Sequence, residues 1–144
     1  MKQDLALEIL LSGESALLTG PAGTGKTFVL NQFINLSKAS GKYVSVTATT
    51  GLAATHLGGA TIHAWSGIGV SLPNGFAEHV SKTRREIIEK TDVLIIDEIS
   101  MLHDYRLDMV DEVCRLVRKR VDEPFGGIQV VLSGDFFQLP PVNR

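Results

Sequence analysis

The 144 residues include a single cysteine, Cys114. One thiol excludes an internal disulfide framework and any cysteine-built metal cluster, and it suits a reducing compartment. A cytoplasmic setting is expected. No apolar run approaches the roughly 18 residues of a membrane span. The start Met1-Lys2-Gln3-Asp4 lacks the basic-then-apolar pattern of a signal peptide, so no membrane partner is expected. An excess of basic charge is missing too. With 14 Lys and Arg against 16 Asp and Glu the formal net charge is -2, which leaves no global attraction to nucleic acid; such a partner must be met by a local surface. There is no internal repeat and no low-complexity tract. What is there, 44% hydrophobic and 21% charged residues, is close to the globular average, in a length that suits one domain with one core.

Apolar runs alternate with helical periodicity along the chain. Leu5 to Leu11 reads as an amphipathic helix and Ser15 to Thr19 as a buried strand. After Lys26 the residues Val29, Leu30, Phe33 and Ile34 share one helix face, which ends near Ser40-Gly41. Tyr43 to Ala48 reads as a strand, Thr50 to Leu57 as a helix, Gly58-Gly59 as punctuation and Thr61 to Trp65 as a further short helix. Gly67 to Gly75 is loop-like, and a charged helix is expected over Phe76 to Lys90. The run Val93 to Ile96 fits a parallel strand covered on both faces. A long helix follows, whose stripe Val110, Val113, Cys114, Val117 and Val121 puts Cys114 in the core. Its basic residues Arg115, Arg118, Lys119 and Arg120 read as a solvated face. Pro124 to Gly127 turns the chain into a last strand, Ile128 to Leu132. The expected fold is α/β, a parallel sheet with helices on both faces and right-handed crossovers.

Three segments carry chemistry. Gly20-Pro21-Ala22-Gly23-Thr24-Gly25-Lys26-Thr27 has the spacing of a phosphate loop, between an expected strand and an expected helix. Its glycines let backbone amides curl around phosphate oxygens at the positive end of the helix dipole. Lys26 would reach the β- and γ-phosphates of ATP, and Thr27 would offer its hydroxyl to Mg2+. Asp97-Glu98 ends a buried strand, at the edge where open parallel sheets bind ligands. Alone, such a pair reads equally well as a solvated strand end or a helix cap. Beside a phosphate loop it reads as a metal-directed Asp97 and a Glu98 that takes a proton from the attacking water. Gln138, in Ser133-Gly134-Asp135-Phe136-Phe137-Gln138, is the candidate to sense the γ-phosphate, the alternative being a plain turn glutamine. His63 reads as either a packed or a functional residue; Trp65 reads as core.

The stretches Gly20–Thr27, Thr47–Ala54, Gly59–His63, Ile95–Met101 and Gly134–Val142 resemble motifs I, Ia, Ic, II and III of the Pif (petite integration frequency) DNA helicases, with similarity also at Pro124–Gln129. These are superfamily 1 enzymes related to the RecD and Dda types. The resemblance covers almost the whole chain, and it implies a RecA-like P-loop domain over residues 1–144 that couples ATP hydrolysis to 5′-to-3′ movement on single-stranded DNA in genome maintenance. Gln3 falls where the family's adenine-recognising glutamine lies. In the family, motifs Ia and Ic contact the DNA strand, which carries over to Thr49, Thr50, Gly51, Thr61 and His63. The family's working enzyme also has a second RecA-like domain with an arginine finger, so this chain is expected to be the first motor domain of a larger helicase. A stand-alone nucleotide switch is the alternative. A P-loop kinase would want a lid with clustered arginines and an acceptor site, and no such cluster is expected near the ligand edge.

Overall fold

A computed structural model of the chain describes residues 3–19, 25–51, 54–55, 59–67, 81–102 and 104–134. Among these, the apolar runs become five strands: β1 (Ala16–Thr19), β2 (Val44–Ala48), β3 (Ala60–Thr61), β4 (Val93–Asp97) and β5 (Gln129–Gly134). They form one sheet in the order β1-β5-β4-β2-β3, and every pairing is parallel. Val93, Leu94, Ile95 and Ile96 are all fully buried, because β4 lies inside the sheet and both its faces are covered. Burial of each such side chain stabilises the fold by about 1.5–3 kcal/mol.

Alternation along β4 divides the core in two. Val93 and Ile95 face α1 (Gln3–Leu11) and α2 (Lys26–Ala39), packing with Leu10, Leu30 and Phe33. Leu94 and Ile96 face the other side, with Ile62 and Trp65 of α3 (Ile62–Ser66), Ile88 of α4 (Lys82–Lys90), and Val110, Val113, Cys114 and Val117 of α5 (Asp104–Arg118). Helices on both faces of a parallel sheet are the expected architecture. Cys114 is wholly buried, and burial, followed by the nearby Asp111 charge, pushes its thiol up to about 12; it is a core residue.

Four local expectations are corrected. Ala60–Thr61 is a strand before it is a helix start, pairing Thr47 with Ala60 and Ala48 with Thr61. The approach is close enough that a Cβ on Gly59 would lie 2.0 Å from the Val46 carbonyl oxygen, so only glycine fits there. Secondly, α4 begins at Lys82, where the Ser81 hydroxyl accepts the Arg84 N–H. Residues 76–80 of the expected helix, and 68–75 of the expected loop, lie outside the described residues. Thirdly, Val121 does not continue the α5 stripe and is exposed. The helix stops because Lys119 adopts a left-handed conformation, with Arg120 N–H reaching back to the Arg115 carbonyl and Lys119 N–H to that of Leu116, a Schellman ending.

The fourth correction concerns the basic end of α5. Lys119 and Arg120 are exposed, as expected of a solvated face, but Arg118 is a clamp. Its Nη1 donates to the carbonyls of Ile88, Glu89 and Thr91 at 3.1, 2.7 and 2.9 Å, and its Nε to that of Gly126 at 2.7 Å. Two of those are last-turn carbonyls of α4 and a third belongs to its cap residue, Thr91, whose own N–H also reaches the Ile88 carbonyl at 3.3 Å; the arginine thus closes the end of that helix. Arg115 Nε is shared between the two Asp111 carboxylate oxygens at 3.0 and 3.1 Å, and Oδ1 of the same carboxylate also accepts the Phe125 N–H at 2.6 Å. The Pro124–Gly127 turn is thereby locked onto α5. A Cβ on Gly126 would lie 2.6 Å from the Cys114 carbonyl oxygen.

Arg118→Met is expected to destabilise the domain by about 2 kcal/mol or more, because charge-assisted bonds to half-buried carbonyls are lost together. Lys119→Met should stay within about 0.5 kcal/mol of wild type, as exposed substitutions do. Urea unfolding of the two variants measures the difference; equal stabilities would return Arg118 to the solvated face.

Candidate functional site

All five strands point their carboxyl ends the same way, so the segments after them share one edge. α2 opens there with Gly25 as its cap, at φ 89°, and with no acidic residue in its first turn. Left-handed backbone at this point favours glycine, and the first helical turn carries its positive dipole end uncompensated. Lys26 and Thr27 are the first two residues of α2, Lys26 half-buried and Thr27 exposed. Gly20, Pro21, Ala22, Gly23 and Thr24 lie outside the described residues, as does Gln138. For Gln3 the described feature is that it opens α1. β5 separates β1 from β4, so the phosphate loop's strand and the acidic pair's strand are two spacings apart, about 10 Å.

Asp97 is the last residue of β4, and its Oδ1 accepts the Glu98 N–H at 2.9 Å. Glu98 is exposed and left-handed, with φ 59° and ψ 40°. For a residue with a Cβ this backbone costs roughly 1–2 kcal/mol. Its neighbours hold it there. Beyond the Asp97 bond, the Thr49 hydroxyl donates to the Glu98 carbonyl at 2.8 Å, and the Thr49 N–H to the Asp97 carbonyl at 3.2 Å. A short 3-10 turn, Ile99–Met101, follows, and β5 closes on it: a Cβ on Gly134 would lie 3.1 Å from Ile99 Cγ2 and 3.2 Å from its nitrogen.

The β4-β2-β3 end of the edge gathers the remaining candidates. Register pairs Ala48 with both Asp97 and Thr61, which puts Thr49 beside the acidic pair and Thr61 beside Thr49. Thr50 and Gly51 open the next helical turn, in which the Thr50 carbonyl accepts the Ala54 N–H and the Gly51 carbonyl accepts the Thr55 hydroxyl. Thr61 caps α3, its Oγ1 accepting the Ala64 N–H at 3.1 Å. A hydroxyl used this way keeps its own proton to donate. His63, the second residue of α3, is half-exposed, and its pKa is lowered from 6.5 by partial burial and by the Arg106 charge. Trp65 on the same helix is buried, as expected.

The described candidates among the sequence-expected residues thus lie along one sheet edge, and sequence reasoning missed the bonds among them. The link from Thr49 to Glu98 spans 49 positions and follows no local pattern. The strand Ala60–Thr61 has two residues, too few for a period-two signal; Gly59 beside it was the available hint.

The lowered His63 pKa has a sign. As pH falls through 6.5, His63 of the unfolded chain takes up its proton before His63 of the folded chain does. Stability present above that pH is thus lost on the acid side until the folded value is reached. His63→Gln should flatten the stability slope just below pH 6.5, as read by urea titrations over a pH series. A slope identical to wild type would contradict the assignment.

Comparison with known proteins agrees with this fold. The family model described as PIF1-like helicase matches residues 5–144. The "ATP-dependent DNA helicase Pif1" of Psychrobacter sp. (strain PRwf-1) is 51% identical over 147 residues, which cover 99% of this chain and 22% of that protein. The crystal structure of Pif1 helicase from Candida albicans matches with a TM-score of 0.88 at 42% identity, covering 98% of this chain and 33% of that one. The Bacteroides Pif1 helicase in complex with ADP-AlF3 and single-stranded DNA matches with a TM-score of 0.82 at 39% identity, over 99% of this chain and 33% of that one. The chain thus spans a minor part of the relatives it matches. With a family match over nearly all its residues, the chain belongs to the PIF1-like helicase family.

Proposed function

We propose that the chain is the ATP-binding and hydrolysing motor domain of a DNA helicase that moves 5′-to-3′ on single-stranded DNA in genome maintenance. It would work with a second RecA-like domain of the same full-length protein, within the cell compartment that holds the DNA. The observation that carries this reading is one sheet edge presenting, side by side, the Lys26–Thr27 helix start, the Asp97–Glu98 turn and the Thr49–Thr61 group. A stand-alone nucleotide switch would leave the last of these idle. In the Bacteroides relative, nucleotide analogue and single-stranded DNA are bound together.

The residues present suit Mg2+-ATP. Among the described residues no group of three His, Cys, Asp or Glu could hold a metal by itself. A single Asp97 and a Thr27 hydroxyl instead fit an ion that keeps several waters and takes phosphate oxygens. Bound there, Mg2+ would neutralise charge on the β- and γ-phosphates. Backbone amides of the Gly20–Thr27 loop and the α2 dipole would bind the phosphates, Lys26 would stabilise charge on the transferring group, and Gln3 would face the adenine. Exposed Glu98 would orient the attacking water and hold its proton, and Gln138 would sense the γ-phosphate.

On the DNA side, Thr50, Gly51, Thr61 and His63 would grip phosphates without reading sequence, while Thr49, expected from the family to share that contact, already gives its hydroxyl to the Glu98 carbonyl and its N–H to that of Asp97. Among the described residues nothing lies within 4 Å of a Cβ placed on Gly51. Half-exposed His63 would offer a ring N–H to a phosphate. A net charge of -2 agrees with a local grip of this kind.

In the protein carrying both motor domains, Glu98→Gln should keep ATP affinity while the hydrolysis rate falls by about 10²–10⁴-fold, the usual contribution of a positioned base. Asp97→Asn should instead raise the Mg2+ concentration needed for turnover. Steady-state phosphate release across ATP and Mg2+ titrations separates the two effects; one shared phenotype would contradict the division of roles.

A further inference from the structure

From the bonds around Glu98 we infer that Thr49 is a positioning residue for the hydrolytic carboxylate, and that movement of the Thr49–Gly51 segment is transmitted to that carboxylate through one hydrogen bond. The inference rests on the helicase reading above and adds to it a path between its two ligands.

Glu98 is left-handed, a backbone state that a non-glycine residue leaves when its neighbours let it. Its N–H is held by its own preceding side chain, Asp97 Oδ1. The turn after it is crowded by Gly134 of β5. Its carbonyl is held by the Thr49 hydroxyl at 2.8 Å. Of these three restraints, only Thr49 belongs to the part of the edge assigned to the DNA strand. The contact is not an incidental one. Thr47 Oγ1 donates to the Ile95 carbonyl at 2.6 Å and Thr49 N–H to that of Asp97 at 3.2 Å, so donors from β2 and its extension follow β4 past the end of the sheet and finish on Glu98.

Thr49 is thus turned inward. Its hydroxyl proton is committed to Glu98, which leaves the oxygen able to accept but not to donate to a phosphate. The gripping of a phosphate falls to its neighbours Thr50 and Gly51, on the next peptide units. A strand that shifts those peptides shifts Thr49 with them, tightening or releasing the Glu98 carbonyl and re-aiming the carboxylate on the same residue. Rotation of one peptide by a few tens of degrees would move a glutamate's carboxylate by ångströms, enough to make or lose alignment with an attacking water.

The test uses the protein carrying both motor domains and compares Thr49→Val, which keeps the shape and loses the hydroxyl, with Thr49→Ser, which keeps the hydroxyl. Hydrolysis is measured over an ATP titration with and without oligothymidylate, and oligothymidylate affinity by fluorescence anisotropy. Thr49→Val should lower kcat in the presence of the oligonucleotide by about tenfold, a part of the roughly 10²–10⁴-fold that a positioned base supplies. Its KM for ATP and its oligonucleotide affinity should change by less than about threefold, and Thr49→Ser should restore kcat. Thr49→Ala, which removes the hydroxyl without filling its place, should show the same split and serves if the valine variant does not fold. An unchanged kcat in the valine and alanine variants overturns the inference, as does a loss that follows oligonucleotide affinity or that serine fails to rescue. Absence of oligonucleotide-stimulated hydrolysis in the wild type overturns the helicase reading and the inference with it.

Discussion

Parallel pairing of β4 between β5 and β2 is the constraint on which the rest of the molecule depends. An interior parallel strand needs both faces covered, which is why its side chains are apolar without alternation and why helices stand on both sides. The same pairing gives β4 one polar end, and that end lies between two others. On one side, across β5, is the strand that leads into the phosphate loop; on the other are β2 and β3, with Thr49 and Thr61 at their tips. On the proposed reading, a nucleotide and a nucleic-acid strand would address the same pair of carboxylates from opposite sides.

Strain is concentrated where this arrangement needs it. Glu98, Lys119 and Phe125 are the non-glycine residues with positive φ among the described residues. The last two belong to structural clasps, the Schellman ending of α5 and the Pro124–Gly127 turn fastened by Asp111 and Arg118. Glu98 alone is at the ligand edge. Its conformation is maintained by contacts from β2, β4 and β5 together, so the turn senses the relative positions of three strand ends rather than the preference of one residue.

Much of this was legible in the order of residues, for reasons that differ by element. The buried strands announce themselves by continuous β-branched runs such as Val93 to Ile96, and α2 and α5 by apolar stripes of helical period. The edge residues were found because glycine spacing, a Lys-Thr pair and an acidic pair at a strand end each have a specific chemistry. What could not be read were interactions joining distant positions. Nothing near Arg118 in sequence reveals that the carbonyls at the end of α4, about thirty residues earlier, converge on it. Nor does Val121 signal that the helix ends before it, since the left-handed stop at Lys119 uses a residue with no local preference for that state. β3 was hidden by its shortness, although Gly59 marks the close approach that makes it possible.

The central claim is that the Lys26 end of α2 and the Asp97 end of β4 form one Mg2+-nucleotide site on this edge. Isothermal titration of Mg2+-ATP into the 144-residue chain tests it most directly. The account predicts binding to the wild-type chain that weakens when Mg2+ is chelated, and that is lost in Lys26→Ala with the fold retained. An affinity that is the same in wild type and Lys26→Ala would contradict it.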